Sequence, residues 1–444
     1  MRYKIIIILI LIFAMFFIIN SNSNKKISPT LMIGFMLLAS YIIGDFFETL
    51  KLPKITGYII SGLLFGPYIL KFYSVETVKG LSFLNSMALA FIAFNAGAEL
   101  RKKDLIKNIR VITFLTIGVT VFVYLGVTLS IYFLSEIIPF MKFLPISAKI
   151  GVASIFGVIS VARSPSSTIA IINETGAKGS YTNAILSSTI VTDVLIIILF
   201  AITISTGEIL IKSSKSFNPQ FIFYLVVEIL LAFFIGFVLG YFILFLMNMV
   251  KVEFSILIIA LGFFVIKFSH FLGNYIVETY EISLNLEPLL ICMAAGFTVQ
   301  NFSKQGEIFL KRMEKVSIPI FLTFFSITGA SINLNTLAQG WFIGVIAFLS
   351  RILTIYAGSF ISGKMAGAIE SITKWGWMGF ITQAGVSLGL LSEVLRRFPE
   401  FGTKIQTILI ATITINQIVG PILLKYGLTL SKETRNERSV SKKS

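Results

Sequence analysis

Cysteine and histidine are almost missing from this chain: Cys292 and His270 are the only examples in 444 residues. A disulfide framework needs at least two cysteines, and thiolate or imidazole metal centres need several such ligands, so both classes are excluded. Charge is scarce as well, at 13% of residues, against about a quarter in soluble domains. With 56% hydrophobic residues and a mean hydropathy of +0.91, the composition is that of a multi-pass membrane protein in a cell membrane. The formal charge of +16 does not point to nucleic acid. The basic residues fall between apolar runs, as topogenic charges do. Before the tail that starts at Ser431, no polar stretch is long enough for a soluble domain. A membrane transporter is therefore expected, neither an enzyme nor a cofactor carrier.

Apolar runs of membrane-spanning length lie near 29–50, 54–70, 82–98, 109–135, 146–172, 180–205, 219–250, 253–269, 286–301, 316–333, 337–362, 373–395 and 405–427. Residues 1–26 hold one more, with Arg2 and Lys4 ahead of it and no evident small-residue cleavage site. They read as a signal peptide or an extra N-terminal helix. If Arg101–Arg110 is cytoplasmic, alternation places Lys304–Lys315 and the basic tail 428–444 on the same side. About twenty-three basic residues then lie inside and about eleven outside, a self-consistent topology. Six spans fill 29–205 and six fill 253–427, separated by a single linker helix at 219–250. An odd linker makes the second half enter from the opposite side. That is the inverted repeat of a secondary transporter, whose site lies at the midplane.

Three features carry the chemistry. Asp193 sits within an apolar run roughly 20 Å from the helix start near Ser180, deep in a bilayer. A carboxylate there is costly unless it faces a watery cavity or a cation, and so marks a function. Ser188 with Thr192, and Thr189 with Asp193, lie one turn apart on its helix. The second feature is the interruption of span 146–172 at Ser160–Ser167, where Pro165 removes a donor and clashes with the preceding turn. Its mate is Thr382–Ser387 in the corresponding span of the second half. Breaks of this kind survive in lipid only beside protein or water. Two in matching positions favour a binding site over a proline kink with back-bonded serines. The third feature is buried base. Arg351 lies mid-span, placed to pair with a carboxylate or to compensate half-helix carbonyl ends. Arg163 stands in the first break, where it repels a cation unless it pairs with Asp193 or points to the cytoplasm. The candidate ion site is thus Asp193, which would carry Na+ or K+, with Thr192, Ser164, Ser166 and Gln383; Arg351 and Arg163 compensate charge. Asn416 is assigned to packing, and Glu228 to a face between subunits.

Leu52-Pro53-Lys54-Ile55-Thr56-Gly57-Tyr58 through Gly62 to Gly66-Pro67 resembles the LPxxxGYxxxGxLxGP signature of the monovalent cation/proton antiporter-2 family. Phe91 to Leu100, and Phe324-Phe325 with Gly329, resemble two further segments of that family. The resemblance implies an all-α fold of about thirteen helices with two crossed broken helices, a homodimer, and an essential aspartate that matches Asp193. Three positions depart from the family pattern. Thr192 replaces an acid or amide, Arg163 stands where Thr is common, and Gln383-Ala384-Gly385 replaces Arg-Gly-Glu. One acid is kept and one base gained. The leading expectation is electroneutral exchange of Na+ or K+ for H+ at Asp193. The alternatives are an anion carrier using Arg163 and Arg351, and a non-transporting sensor in which Arg163 locks Asp193.

Overall fold

A computed structural model describes residue 10 and residues 29–212, 219–249, 254–280, 286–383 and 385–435. The N-terminal segment read as a signal peptide or extra helix, Ala384 of the second break, and the end of the tail lie outside the described residues. The described chain is helical. Its principal helices are α1 (Pro29–Thr49), α2 (Lys54–Phe65), α3 (Ser82–Glu99), α4 (Ile109–Phe133), α5 (Ile146–Val161), α6 (Pro165–Thr175), α7 (Ser180–Lys212), α8 (Pro219–Met249), α9 (Phe254–Tyr280), α10 (Pro288–Asn301), α11 (Gly306–Ala330), α12 (Leu334–Ala366), α13 (Gly385–Arg397) and α14 (Pro399–Leu430). Every apolar run from 29 to 427 becomes a helix or a broken helix. Among the described residues eight are long and apolar enough to cross a membrane by themselves, and α2 and α10 are shorter apolar helices.

The ends differ from the hydropathy reading for physical reasons. α2 stops at Phe65 because Gly66 is extended (ψ −177°) ahead of Pro67, a residue pair that disfavours helix. α11 begins ten residues before its apolar run. Its charged first turns continue the helix because Phe309, Leu310 and Met313 form a buried stripe beneath Lys311, Arg312 and Glu314. Hydropathy averaging registers those charges and misses the stripe.

The short helices are held by glycine crossings. A Cβ on Gly62 would lie 2.0 Å from Ser326 O, and one on Gly329 2.0 Å from Ile59 O, so α2 and α11 touch backbone to backbone. α3 and α10 do the same, with 1.9 Å from Gly97 to Met293 O and 2.1 Å from Gly296 to Phe94 O. Without a hydrophobic drive between helices in lipid, such close packing supplies much of the association. Gly97→Val should therefore push α3 and α10 apart and lower stability by about 3 kcal/mol or more. Thermal unfolding of the detergent-solubilised protein checks this; a midpoint equal to wild type would contradict the crossing.

Beside a small apolar cluster where α1 and Phe65 meet Phe72, Tyr73, Val78 and Leu81, two large ones form. One gathers side chains of α4–α7, α12 and α14 with parts of α2, α11 and one face of α3. The other joins α3, α8, α9 and α10 with the first turns of α11. Ile197, Met293 and Ile320 pack against both. Asp193 belongs to α7, on the seam between them.

Candidate ion-binding site

The first break forms because Ala162 turns extended (φ −54°, ψ 140°) after α5. Pro165 then starts α6 at the position where its missing N–H costs nothing. Ser164 caps α6, its hydroxyl accepting from Ser167 N at 3.1 Å. The second break is a 3-10 turn at Gly376–Phe380 followed by non-helical residues to Gln383. The two breaks touch: Ser164 N donates to Thr382 O at 3.0 Å, and Gln383 Nε2 donates to Ile159 O at 2.9 Å. α14 lets the second break pass at Gly420, whose Cβ would lie 2.7 Å from Thr382 Cα.

Arg351 joins both breaks from α12. It donates to Ser160 O (2.7 Å), Ala162 O (3.0 Å), Ile381 O (2.8 Å), Phe380 O (3.2 Å) and Asn416 Oδ1 (2.9 Å), and none of its surface is exposed. Carbonyls freed where α5 and the 3-10 turn end carry partial negative charge, and a planar guanidinium satisfies several at once. Asn416 completes the set by donating to Gln383 Oε1 at 2.9 Å. The carbonyl-compensating reading of Arg351 describes this geometry.

Beside the crossing lies a cavity of about 380 Å³. Asp193, Arg163, Ser164 and Ser166 line it from the first cluster's side; Glu228, Glu287, Leu290 and Met293 line it from the second, and Glu393 of α13 also reaches it. Asp193 Oδ1 is buried and accepts no hydrogen bond. Arg163 is only 2% exposed, its guanidinium stacked 4.2 Å from the Phe380 ring centre. Neither of its terminal nitrogens has a partner. The clamp of Arg163 on Asp193, on which the sensor alternative depends, is not formed.

Four of the expected residues meet at this cavity: Asp193, Ser164, Ser166 and Arg163. Thr192 and Gln383 do not line it. Thr192 lies about 100° around α7 from its neighbour and bonds back to Ser188 O at 2.6 Å. Gln383 has both ends of its amide engaged in the network that joins the breaks. Glu287 and Glu393 carry no feature that the sequence reading singles out, and Glu228, assigned to a face between subunits, lines the cavity. Only Glu287 left a local signal, an acid directly before Pro288 at a helix start.

A second cavity of about 750 Å³ follows along the same helices. Thr182, Asn183 and Leu186 of α7, Asn173 and Glu174 of α6, and Glu99 of α3 line it. Leu186 and Asp193 are seven residues apart, about 10 Å on a helix. The turns between hold Ser188 and Thr189 with buried, unpartnered hydroxyls. Asp193 is thus open to one cavity and shut off from the other by about two helical turns.

The family model described as "Sodium/hydrogen exchanger, transmembrane" matches residues 33–429. No curated protein matches the sequence. Among solved structures, one of the sodium proton antiporter MjNhaP1 from Methanocaldococcus jannaschii at pH 8 superposes with a TM-score of 0.62 at 19% identity. It covers 91% of this chain and 96% of that one. A second, an electron-microscopy map of the same antiporter, gives 0.69 at 17% identity over 90% and 96% of the two chains. At this identity the likeness establishes the fold.

Proposed function

This chain belongs to the sodium/hydrogen exchanger family, the cation/proton antiporters, and from that premise we propose that it exchanges one Na+ or K+ for one H+ at Asp193. The observation that carries the reading is the carboxylate itself. Its Oδ1 is unpartnered, and the group is borne in mid-helix beside two crossed helix breaks and faces a cavity. One carboxylate cannot hold a proton and a metal ion together, so the two compete and exchange follows from that competition. Ser164 and Ser166 line the same cavity and offer neutral oxygens there. Alternating exposure corresponds to the two cavities, successive along α3, α6 and α7. The inverted repeat of 29–205 and 253–427 is supported by the glycine crossings. Under that repeat, the α2–α11 pair and the α3–α10 pair exchange places. With Arg101–Arg110 and the basic tail read as cytoplasmic, the Glu99 cavity opens inward and the Asp193 cavity outward; the homodimer is the assembly that the family resemblance implies.

Exchange measured in proteoliposomes with a pH-sensitive dye, with Na+ and K+ added in turn, tests this. An exchanger with one proton per monovalent cation gives equal rates with the membrane voltage clamped or free. A voltage-driven rate would overturn the stoichiometry, and cation-independent proton flux would overturn the antiport.

Arg163 takes a defined part in this reading. A buried guanidinium whose terminal nitrogens lack hydrogen-bond partners costs stability; beside Asp193 it weakens cation binding enough to permit release. Arg163→Gln is expected to raise the unfolding temperature, tighten apparent cation binding and slow maximal exchange. An unfolding temperature below wild type, with cation affinity unchanged, would make Arg163 a packing residue.

A further inference from the structure

The anionic wall opposite Asp193 has no part in single-carboxylate exchange, yet the charge balance of the cavity requires it. Asp193 and Arg163 together are neutral. Adding a monovalent cation leaves one uncompensated positive charge among Leu89, Ile92, Ile197 and Leu290, an apolar setting in which net charge is expensive. One more carboxylate removes the imbalance. Three others face the cavity: Glu228, Glu287 and Glu393. Glu393 is held by Arg397 Nε at 2.7 Å, and Arg397 is shared in turn with Glu208 at 3.3 Å. Glu287 stands at the start of α10, beside the Leu289 N–H, without closing a side-chain cap on that helix. It is exposed into the cavity. Asp193, Arg163 and Glu287 line this one cavity.

We propose that Glu287 is a second carboxylate ligand for the transported monovalent cation, supplied across the cavity by the α3/α8–α10 cluster. The bound ion is then held between the two apolar clusters, with Asp193 and the α6 serines on one side and Glu287 on the other. Asp193, Glu287, Arg163 and one cation sum to zero; Glu393 is matched by Arg397, and Glu228 has a partner of its own. Two unpartnered groups already face this space: Asp193 Oδ1, and the Arg163 guanidinium at 2% exposure. The second cavity is lined by Glu99, Glu174 and Glu314 but not by Glu287. A cation that reaches Asp193 from that face meets no Glu287 carboxylate, so cation affinity differs between the two faces of the membrane. This inference rests on the assignment of Asp193 as the exchange site.

The test is Glu287→Gln in proteoliposomes of defined orientation, with Na+ titrated separately at each face. Half-saturating Na+ at the Asp193-cavity face is expected to rise roughly tenfold, the scale of one partly hydrated charge contact. The saturated rate and the opposite face stay within about twofold of wild type, and the retained saturated rate shows that the variant folds. Unchanged half-saturation at both faces, an equal shift at both, or a lowered saturated rate alone would overturn the proposal. Asp193→Asn runs in parallel: if it is inactive while Glu287→Gln equals wild type, only this inference fails. If Asp193→Asn exchanges normally, the site assignment falls with it.

Discussion

Asp193→Asn is expected to abolish cation/proton exchange, with a rate at least about a hundredfold below wild type, while the protein folds at least as stably. The size of the loss follows from the chemistry. An amide takes up no exchangeable proton near neutral pH and offers a cation only a neutral oxygen in place of an anion. Retained stability follows from the structure. Oδ1 accepts no hydrogen bond, so the substitution breaks none, and the removal of its desolvated charge offsets the lost attraction to Arg163. The measurement is dual, dye-monitored exchange beside thermal unfolding of the same preparation. Wild-type protein should also show apparent cation affinity that weakens as the pH falls, because protons and cations compete for one carboxylate. Asp193→Glu keeps the acid but moves it by a methylene, and should keep a reduced, still pH-dependent exchange. Exchange in the Asn variant at the wild-type rate would move the site elsewhere. A collapse of its stability would make Asp193 a structural residue.

The second large effect is expected at Arg351, and it is a loss of fold. Arg351→Ala removes the donor from four backbone carbonyls and from Asn416 Oδ1, all of them in the interior. Leaving buried acceptors unsatisfied costs about 1–3 kcal/mol each. Even with partial relaxation, the total lies above the about 4 kcal/mol that marks exceptional substitutions. Native stabilities are only about 5–15 kcal/mol, so the variant should yield little monodisperse protein. Arg351→Lys keeps the charge but has three donors on a single nitrogen in place of a planar fork. It should fold with a clearly lowered unfolding temperature and slow exchange. Size-exclusion profiles and unfolding temperatures decide the matter. Were Arg351→Ala to unfold at the wild-type temperature while exchange vanished, the arginine would act on the ion rather than on the breaks.

These two residues illustrate how unevenly a sequence reports its own structure. Asp193 and Arg351 stood out because a charge within an apolar run is a local anomaly, visible in a window of about twenty residues. Pro165 among serines is local in the same way, and the first break lies where it was expected. Arg163 was visible too, but its partner was not. Whether it clamps Asp193 or stacks on Phe380 depends on where a 3-10 turn more than two hundred residues later is packed. Thr192 shows the reverse failure. Adjacency to Asp193 in sequence suggested a shared task, yet neighbours on a helix diverge by about 100°, and this hydroxyl closes on Ser188 O.

The sequence by itself determined the class of protein, the thirteen apolar segments, the two interruptions and the acid between them. Periodicity, hydropathy and breaker residues act over one or two turns and need no knowledge of the rest of the chain. The tertiary structure decided what faces the acid. Glu287 and Glu228 reach the Asp193 cavity from helices of the α3/α8–α10 cluster, and in sequence they are ordinary glutamates beside a proline or within a long helix. It decided Gln383 as well, which binds the two breaks together instead of facing the cavity. A contact between segments far apart in the chain depends on which surfaces bury one another, and no local pattern of residues carries that information.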